Sequence, residues 1–153
     1  MTPEEKLVEL GLALPPAPKP VGTYVPAVRT GRLIFVSGQL PMKNGQLMAV
    51  GHVGAEVSLE TAQGCACQAA LNALAVVAAE AGGLSNVTRT VRLTGHVASA
   101  PGFRDQAKVL NPASELLGMV FGDAGRHSRA ALGAAELPLG APVEIEMIVE
   151  VRE

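Results

Sequence analysis

Tryptophan is absent from this chain of 153 residues, and one tyrosine and three phenylalanines are all of its aromatic side chains. Lysine and arginine nowhere form a run longer than two, and the formal net charge is −2. A general nucleic-acid binder presents a basic face and aromatic platforms for bases. Neither is visible, which argues against RNA or DNA as a partner. Only two cysteines occur, Cys65 and Cys67, in a segment of helical pattern. About 100° of rotation per residue turns them apart, so they read as reduced packing residues, joined by neither a disulfide nor a metal. The three histidines, His52, His96 and His127, are scattered singly and give no support for a metal site. Phosphate-binding loops, dinucleotide fingerprints, CxxC and HExxH are also missing, as is a serine in a nucleophile elbow. No stretch reaches the roughly 18 consecutive apolar residues of a membrane span. The N-terminus opens with acids instead of the basic region of a secretory leader. These absences predict a soluble, cytoplasmic protein.

What the chain has is small and aliphatic side chains: 48% of its residues are apolar although 3% are aromatic. Ala, Val, Leu, Ile and Met must build the core, and the length suits one domain. Thr2-Pro3-Glu4-Glu5 reads as an N-cap, a proline at the first helical position and acids in the first turn, starting a helix to about Leu12. Four prolines between Leu14 and Pro20 then make an extended arm, so residues 1–20 are set apart from a domain of residues 21–153. Strand signals follow from Gly22 to Val50, with an apolar run ending in Ser37-Gly38 and a hairpin turn at Asn44-Gly45. Ser58 caps a long alanine-rich helix that Gly82-Gly83 ends. Val91, Leu93, Gly95 and Val97 alternate with Thr90, Arg92, Thr94 and His96 in a half-buried strand. A second helix runs from about Gly102 to Phe121, with Pro112 perturbing it or starting a new segment.

Two strands close the chain, about Arg129–Ala135 and Pro142–Arg152. The last one alternates cleanly: Val143, Ile145, Met147, Val149 and Val151 share one face, and Glu144, Glu146, Ile148 and Glu150 the other. The order β-β-α-β-α-β-β predicts an α+β fold, one sheet covered by two helices in a two-layer sandwich.

Chemistry has few places to reside. Arg129 opens a strand of Ala and Gly, a weak strand with little to pack. Glu144 and Glu146 share a strand face, Tyr24 is the lone tyrosine, Ser37-Gly38 ends a strand, and Asn111 falls in the second helix. Taken singly, an arginine at a strand start serves equally as a solvated edge, and alternating glutamates as the wet face of a strand.

In combination these segments resemble the RidA/YjgF/UK114 family, whose members also carry the name endoribonuclease L-PSP. The resemblance rests on Gly22-Thr23-Tyr24, on Ser37 to Pro41, and on Arg129-Ala130-Ala131 with Leu137-Pro138 and Val143 to Glu146. It covers about residue 20 to the end. The N-terminal helix and arm, and the stretch around ASAPGFRDQAKVL, are similar to the longer branch of that family. The resemblance implies a chorismate-mutase-like fold, a homotrimer and ligand sites between subunits. It implies an enamine/imine deaminase that converts 2-aminoacrylate-like compounds to 2-ketoacids and ammonia without metal or cofactor. It also places the carboxylate-binding arginine at Arg129, the water-orienting glutamate at Glu144, and pocket positions at Tyr24, Ser37, Gly38, Asn111 and Ala131. Ala131 replaces the family's common cysteine, so no reactive thiol stands there. Arg126 and His127 stay as surface or turn residues.

Physical chemistry accommodates this assignment. An amino-acid imine carries a carboxylate that an arginine grips through two parallel charge-assisted hydrogen bonds, and a glutamate can orient water and move protons. If the last two strands form a hairpin centred near Leu139, Arg129 lies opposite Val149, about 16 Å along the strand from Glu144. A site using both residues then needs a neighbouring subunit. Two other functions compete: a binding module for small carboxylates such as ketoacids, without turnover, and, less favoured by the acidic balance, a ribonuclease.

Overall fold

The computed structural model describes residues 1–20 and 22–153; Val21, the expected junction of arm and body, lies outside the described residues. Seven strands and three α-helices follow in the order α1 (Pro3–Glu9), β1 (Ala27–Thr30), β2 (Leu33–Gln39), β3 (Met42–Lys43), β4 (Gln46–Leu47), α2 (Leu59–Ala81), β5 (Val87–Ala98), α3 (Gln106–Phe121), β6 (Ser128–Ala134) and β7 (Val143–Val151). Five of these strands form one mixed sheet in the order β1-β2-β7-β5-β6, and β3 and β4 form a small separate hairpin. Both long helices pack on one face of the sheet, giving the α+β two-layer sandwich expected from the pattern.

Local chemistry explains the element ends. Thr2 and Glu5 form a reciprocal capping box around Pro3. Ser58 accepts from the Thr61 backbone N–H at the start of α2, and Gly82 ends it at φ 75°, ψ 28°. Asn44 and Gly45 both take positive φ in the tight turn between β3 and β4. The helix α3 begins at Gln106, later than expected, because Gly102 at φ 83° turns the chain first. Pro112 sits inside α3 without ending it. The carbonyl it leaves unbonded, four residues back on Lys108, accepts from Gln63 Nε2 of α2 at 2.9 Å.

Alanines at positions 62, 66, 69, 70, 73 and 75 let α2 lie close to the sheet. By length and composition α2 could cross a membrane, yet 67% of its apolar stretch is buried in the protein. The inward face of β7, Val143 to Val151 at every second residue, is at most 1% exposed, as its alternation foretold. Two buried amides on α2 tie the core to the chain beyond β2. Gln68 donates to Asn72 Oδ1, and Asn72 Nδ2 donates to the carbonyls of Leu40 and Met42, each at 3.0 Å.

Two expectations change. The last two strands form no hairpin: β5 lies between them, parallel to β6 and antiparallel to β7. In β5 a bulge at Val91 turns Thr90 inward, where it is fully buried. The outer face of the sheet carries Val28, Phe35 and Leu132, all exposed, with half-buried Ile148. Ala131 pairs with Gly95 on the helix side.

Candidate functional site

The sheet sorts the candidate residues into two groups. Register places Arg129 beside Leu93 and Met147, whose side chains point to the helices. It places Glu144 beside His96, whose neighbour on β6 is Leu132. An offset of three residues puts them on opposite faces, about 10 Å apart along the strands. Within one protomer, therefore, Arg129 and Glu144 do not meet.

The first group lies where β6 meets α3. Arg129 Nη1 donates to Asn111 Oδ1 at 2.8 Å and to Ser114 Oγ at 3.2 Å. Both acceptors are neutral, and among the described residues no carboxylate pairs with Arg129. The guanidinium is thus oriented without being neutralised, the condition for gripping an anion. Ala131 is the next residue on the same face of β6, and its small side chain leaves room beside the arginine. Sequence reasoning found Asn111 but missed Ser114, which no local motif marks.

The second group gathers on the outer face, where β2 meets β7. Between Val36 and Gln39 two residues, Ser37 and Gly38, oppose the single Glu146. This is a β-bulge, a device that re-aims groups beside functional sites. The Ser37 hydroxyl donates to the Val25 carbonyl at 2.7 Å and its N–H to the Pro26 carbonyl at 2.9 Å, so it holds the incoming chain. Gly38 lies so close to Glu144 that a Cβ there would clash with the carboxylate. Tyr24 and Gly38 line one cleft together with Gln39, Leu40 and the proline arm at Pro18, Lys19 and Pro20.

Glu144 is half-buried, and the pKa of its carboxyl stands above the usual glutamate range. Burial is the main cause; His96 across the strand pair pulls it down and Glu146 pushes it up. His96 Nε2 lies 2.7 Å from Glu146 Oε2, so these three titratable groups share one patch. A carboxyl with a raised pKa takes up a proton more readily than an ordinary glutamate, which suits it to proton transfer.

The remaining reactive types stand elsewhere. His52 contacts the Ala135 carbonyl and the carboxylates of Glu56 and Glu136. Cys65 and Cys67 are unpaired thiols whose pKa burial pushes up. No three His, Cys, Asp or Glu side chains cluster as a metal site among the described residues.

Comparison with known proteins shows the family of the chain. The family model described as "YjgF/chorismate mutase-like, putative endoribonuclease" matches residues 4–151. Protein TCP17 of Trypanosoma cruzi is 41% identical over 94% of this chain and 91% of its own length. A 2-iminobutanoate/2-iminopropanoate deaminase of Dermatophagoides farinae is 30% identical over 90% of this chain and 93% of its own. Among solved structures, a protein of unknown function from Agrobacterium tumefaciens is 46% identical, with a TM-score of 0.90 over 98% of this chain and 92% of that one. A match from the first helix through the last strand, with the expected sheet and helices, makes this chain a member of the RidA/YjgF family.

Proposed function

We propose that this protein hydrolyses reactive imines and enamines of the 2-aminoacrylate type to 2-ketoacids and ammonia. One observation carries the reading: Arg129 is held by two neutral oxygens and keeps its positive charge unpaired beside the small residues of β6. The relative named as a 2-iminobutanoate/2-iminopropanoate deaminase supports the choice of substrate.

In this scheme Arg129 binds the substrate carboxylate through two parallel hydrogen bonds. Glu144, supplied by a neighbouring subunit of a homotrimer, takes a proton from water as it attacks the imine carbon. The carbon–oxygen bond forms as the C=N double bond becomes single. Glu144 passes that proton to nitrogen and then carries the proton of the new hydroxyl to the same nitrogen; the C–N bond breaks, and ammonia leaves as the carbonyl forms. Fixing water and imine in one site converts an encounter into an oriented reaction, the main source of acceleration here. Tyr24, Ser37 and Gly38 shape the Glu144 side of that cleft; Asn111 and Ala131 shape the Arg129 side.

The test is pyruvate release from 2-aminoacrylate made in situ from serine by a pyridoxal-phosphate dehydratase. Acceleration over spontaneous hydrolysis, lost in Arg129→Ala with the oligomer intact, is the expected result. Pyruvate binding without acceleration would make the protein a ketoacid-binding module instead.

A further inference from the structure

We propose that His127, acting through Ser114, is a positioning residue that fixes which edge of Arg129 meets the substrate; the inference rests on the proposed role of Arg129. A chain of contacts carries it. His127 Nδ1 lies 2.7 Å from the Gly125 carbonyl oxygen. That oxygen can only accept, so Nδ1 carries the ring proton. In the neutral ring Nε2 is then an acceptor, and Ser114 Oγ stands 3.0 Å from it. Serine has one hydroxyl proton. Given to His127, it leaves the oxygen's lone pairs for Arg129 Nη1 at 3.2 Å.

The far end of this chain is rigid. A Cβ on Gly125 would collide with the Leu117 carbonyl oxygen and approach its carbon at 2.7 Å, so the glycine is seated against the backbone of α3. Its carbonyl is a fixed anchor for the ring. Direction therefore passes from Gly125 through His127 and Ser114 to the guanidinium.

The consequence concerns the two-pronged recognition of a carboxylate. Nη1 has two hydrogens, and Asn111 Oδ1 at 2.8 Å and Ser114 take them. The side edge, Nε with Nη2, is left with a parallel pair of N–H groups for the substrate. Without the proton acceptor at His127, the Ser114 hydroxyl can turn its proton toward Arg129. The arginine then loses one of the two bonds that select this edge.

The experiment uses the intact protein, with pyruvate affinity by calorimetry and steady-state imine hydrolysis measured on the same variants. His127→Phe keeps the ring but removes the acceptor, His127→Gln keeps an acceptor, and Ser114→Ala removes the relay. The expected result is a rise of roughly tenfold in KM and in the pyruvate dissociation constant for His127→Phe and Ser114→Ala, with kcat within about twofold. His127→Gln restores near-wild-type values, and the Phe/Ala double variant is no worse than either single one. Wild-type affinity in both single variants, or additive losses in the double variant, would overturn the inference. Wild-type binding without turnover would remove the deaminase reading alone, and the affinities would still decide the relay. Undiminished binding in Arg129→Ala would overturn both.

Discussion

Replacing Gly38 by alanine tests the outer-face half of the site with the smallest available change. The backbone is permissive, since the φ of Gly38 lies outside the left-handed region. The obstacle is a side chain: the new Cβ would clash with Glu144 Oε1 and lie 2.9 Å from Cδ and 3.2 Å from Cγ. An ordinary carbon–carbon contact of about 3.5–4.0 Å requires Cδ to retreat by about 0.6–1.1 Å, and the oxygen by more. Off-rotamer strain in Glu144 costs about 0.5–1.5 kcal/mol. Alanine recovers about 0.4–1 kcal/mol by restricting the unfolded chain. The two nearly cancel, so Tm should move by no more than about 2–4 °C.

Catalysis is far less tolerant, because a misplacement of about 1 Å costs on the order of 100-fold. The expected outcome is therefore a loss of about two orders of magnitude in kcat/KM with a nearly unchanged melting curve. A double-variant cycle assigns the cause. If the loss passes through Glu144, adding Gly38→Ala to Glu144→Ala removes nothing further. Wild-type turnover by Gly38→Ala, or a full additive loss in the Glu144→Ala background, would refute the placement of Glu144 at the reaction centre.

Other variants address other parts of the molecule. Arg129→Lys keeps the charge but loses the fork, and kcat/KM should fall at least about tenfold in the pyruvate-release assay. Burial raises the Glu144 pKa and Glu146 adds to the rise. Glu146→Gln should therefore lower it, keep Glu144 ionised in more acid solution, and move the acid limb of the kcat/KM profile to lower pH. Gly95→Ala would drive a Cβ into the buried Leu110 side chain; overpacking of about 1–3 kcal/mol should lower Tm by on the order of 3–10 °C. Mixed oligomers of Arg129→Ala and Glu144→Gln, each inactive alone, should recover about one quarter of wild-type activity, because a quarter of randomly formed interfaces pair two intact halves. No recovery would overturn a site shared between subunits.

Much of the fold was legible because its signals are local. Ser58 and Gly82 bound α2, Asn44-Gly45 turns the small hairpin, and the period of two in β7 names its buried face. Strand pairing was less legible because it joins distant segments. Nothing in residues 129–151 says that β5 will insert between β6 and β7. A bulge is a slip of one residue, and an apolar pattern broken at Thr90 or at Ser37-Gly38 looks the same with or without it. Arg129, Glu144 and Gly38 came from a family resemblance, whereas Ser114 and His127 are 13 residues apart and meet only when α3 packs on the edge of the sheet.

The division of the site between two faces has an electrostatic logic. Placed together in one protomer, Arg129 and Glu144 would form an ion pair. The pair would hold Glu144 ionised with a lowered pKa and occupy the arginine that the substrate must bind. The sheet prevents this. On the helix side Arg129 is oriented by the neutral oxygens of Asn111 and Ser114. On the outer face Glu144 sits against Gly38 with its pKa raised by burial. Each group is thus kept in the state its step requires, the arginine unneutralised and the carboxyl ready to exchange a proton. In the proposed trimer, assembly would bring the two halves together around a substrate whose own carboxylate, and not Glu144, satisfies the arginine. The exposed apolar groups Phe35 and Leu132 on the outer face would supply surface for the proposed assembly. Under the proposed function, separation of the charged groups would itself make the site depend on a second subunit, so the two belong to one structural feature.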